Sequence, residues 1–301
     1  MKTKTTLEAF FHRRIGELER EGRFSTSRNY RHTWESFREF SRGRYCYLDE
    51  LEKCTVTAYN HFLAERGLTR NTISFYNRTL RAVYNKAVEA GLVRQTFPFE
   101  QVYTGVDQTR KRALPATALQ AIARVELSDP AMALARDLFL FSFQARGMSF
   151  VDMAYLRRQH IRAGAIHYVR RKTGQALVVT FEPWMQEICA RYADQCFGSY
   201  LLPILHTDDP QQAYRQYTAA LFLYNNQLHR IGEQLGFDFP LTSYCARHSW
   251  ATIARDSAVP LSVISSGMGH ASERTTRIYL ASLENSLIDQ AARQVWQRIV
   301  G

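Results

Sequence analysis

Four apolar stripes at three- and four-residue spacing run through residues 7–88, and they restrict that part of the chain to helices. Leu7, Phe10, Phe11, Ile15 and Leu18 form the first; Tyr30, Trp34, Phe37 and Phe40 form the second. Val56, Tyr59, Phe62 and Leu63 form the third; Ile73, Tyr76, Leu80, Val83, Ala87 and Val88 form the fourth. A helix turns once in about 3.6 residues, so each set falls on one face and seeks a core. Thr69 and Asn71 stand where side chains cap the fourth helix, and Gly91 stands where it ends.

The pattern then changes. TGVDQTRKRALP (104–115) is polar, basic and closes on a proline, which marks a linker. Helical periodicity resumes with Leu119, Ile122, Leu134, Leu138 and Phe141. One hairpin stands out: AIHYVRR (165–171), a Lys172-Thr173-Gly174-Gln175 turn, and ALVVTF (176–181). Helices are expected over 183–196, 211–235, 243–257, 260–268, 272–281 and 284–299. The expected fold is mainly α with a small β-hairpin or sheet (α+β). It divides into a helical domain, 1–103, a basic linker, 104–115, and a second domain, 116–301.

Charge narrows the partner. The 301 residues carry a formal net charge of +11. Residues 1–115 hold 21 Lys/Arg against 13 Asp/Glu, and the remainder holds 18 against 15. A polyanion fits that balance, with the N-terminal third as its main grip. Arg70, Arg78, Arg81 and Lys86 lie off the fourth apolar stripe, either toward a phosphate backbone or as a solvated face. Arg110, Lys111 and Arg112 in the linker carry the same two readings. The five cysteines show no CxxC pair, which argues against a disulfide framework or a zinc site. The N-terminus lacks a signal-peptide core and no apolar run is long enough to span a bilayer, so a cytoplasmic protein is expected.

The chemistry concentrates near the end. Arg247-His248, Gly269-His270 and Tyr279 fall close together in sequence. A tyrosine hydroxyl is a poor nucleophile unless aimed at an electrophile whose charge is already neutralised. Arginine is the side chain shaped to neutralise a phosphate, through bidentate N–H contacts. The pattern points to covalent chemistry on a phosphodiester with tyrosine as the attacking group. Arg146, in FQARGMSFVDMAYL, and hairpin Lys172 belong to the same set.

Together these residues resemble the tyrosine recombinases, the phage integrase family. The family pattern is an arginine after a helix, a hairpin lysine, a His-x-x-Arg-His box, a Gly-His pair and a tyrosine nine residues later. Arg146, Lys172, Arg247-His248, His270 and Tyr279 follow it in order. Tyr244 departs from it, standing where the family most often has histidine. In that it resembles a variant of many recombinases from Bacteroidetes-like bacteria. A phenol with a pKa near ~10 is a poor proton acceptor at neutral pH, so the general base is left unassigned.

The resemblance implies a C-shaped clamp of two domains around duplex DNA. Arg146 and Arg247 would hold the non-bridging oxygens, Lys172 would protonate the leaving oxygen, and Tyr279 would form a 3′-phosphotyrosyl link. His270 would bond the phosphate or take the tyrosine's proton, with Tyr244 also at the phosphate. His248 either buttresses the site or packs. Asp152 either orients an arginine or charges a helix terminus, and Trp250 is core or a lid over the histidine. No cofactor and no metal is implied. Helix 284–299 packs on its own domain or docks on a neighbouring protomer, and the resemblance favours a homo-tetramer on an inverted-repeat site. The implied setting is the bacterial cytoplasm, at the nucleoid when acting. A type IB topoisomerase-like enzyme and a catalytically silent DNA-binding protein are the competing readings.

Overall fold

A computed structural model describes residues 4–107, 113–270, 272, 273, 276, 296 and 297. Arg110, Lys111, Arg112, Tyr279 and nearly all of the helices expected at 272–281 and 284–299 lie outside the described residues. The chain divides into two compact units, Met1–Thr109 and Arg110–Gly301.

In the first unit, α1 (Leu7–Arg20), α2 (Phe24–Phe40), α3 (Lys53–Glu65) and α4 (Arg70–Glu89) bury the four stripes against one another. Tyr59 is fully buried, with its ring 5.2 Å from Phe37 and its hydroxyl donating to Ser36 at 2.8 Å. A buried phenol needs such a partner, because an unmade hydrogen bond there costs about 1–3 kcal/mol. Thr69 caps α4 by accepting from the Thr72 N–H at 3.4 Å. Gly91, at φ +65°, lets the Leu92 N–H turn back to the Ala87 carbonyl.

Asn71 is not a cap. It sits inside α4 and clasps Asp107, donating to its carbonyl at 3.1 Å and accepting its N–H at 2.8 Å. Ser74 donates to the Gly105 carbonyl from the same face of the helix. The start of the segment read as a linker is therefore strapped onto α4. Its end is anchored too: Leu114 is buried and its N–H donates to Ser249 at 2.8 Å in the second unit. Polarity marked a linker because the bonds that hold these ends are themselves polar.

The second unit is built on α6 (Pro130–Gln144), an apolar helix packed by α5 (Ala116–Arg124), α8 (Pro183–Arg191), α9 (Pro210–Gln234) and α10 (Ser243–Asp256). Short α7 (Phe150–Ala154) leads to an antiparallel sheet in the order β1 (Ile161–Arg162), β2 (Ala165–Val169), β3 (Ala176–Thr180). The hairpin pairs Tyr168 with Leu177 and Ile166 with Val179. Strand β1 adds an edge the periodicity did not reveal, because two residues carry no alternation. The helix expected to run to 196 stops at Arg191, and a 3₁₀ turn follows at Ala193–Gln195. There the Tyr192 hydroxyl donates to Asp137 at 2.8 Å. Helix α11 (Leu261–Gly267) packs on α10 through Ala251, Ile264 and Met268. Among the described residues no helix is long and apolar enough to cross a membrane.

Candidate active site

Three local structures meet at one point in the second unit. The first is the turn after α6. Arg146 and Gly147 take left-handed backbone, with φ +58° and +71°. Gly147 does so freely, whereas Arg146 carries a strain of about 1–2 kcal/mol. Strain of this kind is often held at functional sites. The turn brings the Gly147 carbonyl onto buried Arg247 of α10, whose Nη1 donates to it at 2.7 Å. The approach leaves no room for a side chain: a Cβ on Gly147 would stand 2.6 Å from the Arg247 Cα.

The second structure is the turn after α11. The His270 N–H closes it by donating to the Ser265 carbonyl at 3.0 Å, and Gly269 supplies the positive φ, +63°. Arg247 Nη2 donates to the Met268 carbonyl at 2.6 Å and lies 3.1 Å from His270 Nε2. A guanidinium only donates, so Nε2 accepts and the ring proton sits on Nδ1. Nδ1 then donates to the Thr276 hydroxyl at 2.8 Å. Burial, followed by the charges of Arg247, Arg170 and Lys172, pushes the His270 pKa down to about 4. The imidazole is neutral at physiological pH.

The third structure is the hairpin. Alternation turns Ile166, Tyr168 and Arg170 inward, and Arg170 Nη1 donates to the Gly269 carbonyl at 2.6 Å. Lys172 is exposed in the turn beyond β2. Asp152 is buried in α7, where its carboxylate accepts from the Ser149 hydroxyl at 2.6 Å and from the Arg171 N–H at 2.9 Å. It thus holds the backbone beside Lys172. The expected arginine guanidinium is replaced by an amide because the hairpin, not Arg146, passes over α7.

Other expected residues fall around this centre. Tyr244 is exposed on α10, edge-on to buried His248 with ring centroids 4.9 Å apart. Trp250 packs on α11 rather than covering His270, and its ring would lie 3.2 Å from a Cβ on Gly267. Gly267 therefore serves that close packing and not a left-handed turn. Half-buried Arg146 runs past the same glycine and lines an open cleft of about 660 Å³ with Gln175, Leu177, Trp250 and Ser266. Arg146, Arg247, His270 and the Lys172 turn are thus gathered in one unit.

The expected phosphate contacts of the first unit are largely engaged within it. Arg70 stacks 3.8 Å from the Tyr103 ring centroid and pairs with Asp107, and Arg81 donates to the Thr104 hydroxyl. Lys86 pairs with Glu89 at 2.7 Å, and Arg78 is half-buried. Sequence reasoning passed over Arg170, Gly147 and Thr276. Arg170 had a signal: it continues the inward parity of Ile166 and Tyr168, where a charged residue is out of place.

The result is a helical unit that crowds cationic side chains around a neutral histidine. The chain belongs to the phage integrase family. The phage integrase SAM-like domain matches residues 6–102, and the phage integrase family domain matches residues 146–286. The family and its catalytic domain make the chain a DNA strand transferase of site-specific recombination. The fold is similar to that of a lambda integrase (75–356) dimer bound to a COC′ core site. That match has a TM-score of 0.64 at 15% identity over 91% of this chain and 95% of that one. It is also similar to the XerH recombinase bound to a palindromic difH substrate, with a TM-score of 0.62 at 16% identity over 94% and 85%. A lambda integrase tetramer bound to a Holliday junction matches with a TM-score of 0.60 at 14% identity over 92% and 78%. No curated protein matches the chain.

Proposed function

We propose that the protein breaks and rejoins duplex DNA at inverted-repeat sites through a covalent link to Tyr279. The Tyr279 oxygen bonds to phosphorus as the P–O5′ bond breaks. The phenolic proton passes to water and Lys172 gives a proton to the departing 5′ oxygen. Arg247 and Arg146 neutralise the non-bridging oxygens. Preorganised charge of this kind usually contributes more to catalysis than any other single effect, and each donor is worth on the order of 10²–10³ in rate.

The observation that carries this reading is the convergence of Arg247, His270 and the Lys172 hairpin on the turn at residues 268–270. In the tautomer described, His270 presents its lone pair to Arg247. It orients the guanidinium, and its low basicity makes it a weak proton acceptor. Asp152 sets the hairpin and Tyr244 stands at the open edge, while His248 and Trp250 hold α10. The phosphotyrosyl link keeps the energy of the broken phosphodiester, so rejoining needs no ATP. Guanidinium and ammonium groups supply the charge for which other nucleases use metal ions. Segment 284–299 would join protomers into a tetramer on DNA, in the bacterial nucleoid, with Arg110, Lys111 and Arg112 against the backbone.

The test uses a nicked duplex carrying the site recovered by selection from random-sequence DNA. The full-length protein is expected to form a covalent adduct that Tyr279→Phe abolishes. An adduct that survives Tyr279→Phe refutes the mechanism. Relaxation of a site-free supercoiled plasmid by a monomer would favour the topoisomerase reading.

A further inference from the structure

We propose that Arg170 is a third phosphate-binding arginine, which donates to a non-bridging oxygen of the scissile phosphate beside Arg247. The proposal rests on the recombinase reading above. It begins with an anomaly of burial. Arg170 is 6% exposed and carries a permanent positive charge. Among the described residues no carboxylate lies within ion-pair distance of it. An uncompensated charge is costly to bury, and natural sites avoid it unless an anion arrives.

The donors make the same point. Of five N–H groups, Nη1 is satisfied by the Gly269 carbonyl at 2.6 Å. The Nε–H is buried and has no acceptor among the described residues. A phosphodiester supplies what is missing: one negative charge and two oxygens that match a guanidinium fork.

The position is right for the same ligand. Arg247 holds the Met268 carbonyl and Arg170 holds the next one along, Gly269, immediately before His270. Two guanidiniums from opposite elements, α10 and the hairpin, thus grip consecutive peptide groups of one turn. Gly269 has no side chain to interfere: a Cβ there would stand 3.3 Å from the Arg170 Cδ. Arg146, by contrast, is half-buried along an open cleft against Trp250. Arg170 also sits two residues before Lys172 on the same hairpin. Closing the hairpin on phosphate would deliver clamp and acid together.

The test compares two versions of the nicked duplex recovered by selection. One has a normal scissile phosphate, and the other has a methylphosphonate, in which a methyl group replaces one non-bridging oxygen and removes the charge. Arg170→Ala is expected to slow adduct formation by on the order of 10²–10³ on phosphate but by less than about tenfold on methylphosphonate. Both rates come from the same variant, so loss of folded protein cancels in their ratio. Arg170→Lys keeps a donor for the Gly269 carbonyl and serves where Arg170→Ala does not fold. It is expected to cleave phosphate at least about tenfold more slowly than wild type. Equal losses on both substrates, or a fully active Arg170→Lys, would show that Arg170 only braces the turn and would overturn the proposal. Absence of an adduct from wild-type protein on either substrate would instead refute the recombinase mechanism on which the proposal rests.

Discussion

Replacing Gly147 with alanine separates two costs that the structure superimposes at one residue. The first is conformational: φ is +71°, and a left-handed L-residue costs about 1–2 kcal/mol. The second is steric. The new Cβ would lie 2.6 Å from the Arg247 Cα and 2.9 Å from its Cβ, so backbone or helix must shift. Overpacking of this kind costs about 1–3 kcal/mol, and the stiffer unfolded chain offsets about 0.4–1 kcal/mol. The net expectation is a loss of about 2–4 kcal/mol. For a unit of this size that lowers Tm by about 5–15 °C. Gly174→Ala is the control, since Gly174 has φ +70° but nothing within 4 Å of the added atom. It should lose only the conformational part less the same offset, about 0.5–1.5 kcal/mol. Thermal unfolding followed by circular dichroism measures both. The folded fraction of Gly147→Ala should also cleave DNA poorly, because the displaced atoms belong to Arg247. If the two variants melt together, the close approach of the Arg146-Gly147 turn to α10 is wrong.

Further predictions concern separate parts of the second unit. Asp137 is buried and accepts from Arg136, Arg191 and Tyr192, so Asp137→Asn should cost on the order of 3 kcal/mol in urea unfolding. An unchanged midpoint would refute the role of that network. The His270 pKa falls from 6.5 in an unfolded chain to about 4 in the fold, so the unfolded state binds the proton first. Stability from this group is therefore complete above pH 6.5 and declines by on the order of 1–3 kcal/mol as pH falls toward 4. His270→Gln should flatten that part of a pH series, and an identical slope in the variant would count against the assignment. Lys172→Ala should lose cleavage on a normal duplex yet recover on one with a 5′-bridging sulfur, whose leaving group needs no acid. Asp152→Ala should show the same recovery in weaker form, through the loosened Arg171 N–H. A sulfur substrate that fails to rescue Lys172→Ala would remove the lysine from the leaving-group step.

Much of the fold was legible because periodic burial is a local property. Leu7 to Leu18 and Ile73 to Val88 lie on helices where spacing placed them, and the Gly174 turn joins the strands that alternation marked. The breaks were less legible. Strand β1 is too short for a pattern, and the early end of α8 coincides with Tyr192 reaching Asp137, a partner 55 residues away. The functions of Asn71, Asp152 and Trp250 also depended on distant partners, and each differed from one of its local readings.

The order of candidate groups along the chain, Arg146, Lys172, Arg247, His270 and Tyr279, was legible from residue type and from the resemblance to the family's motif. A motif records which side chains the chemistry needs, and that information is one-dimensional. Tertiary structure decided which charges are buried, which carbonyls they hold and which proton the histidine carries. Arg170 shows the difference. In sequence it is one of several arginines in a basic hairpin. Folded, it is a buried cation whose Nε–H has no acceptor among the described residues, because burial and hydrogen-bond satisfaction depend on segments separated by 99 residues.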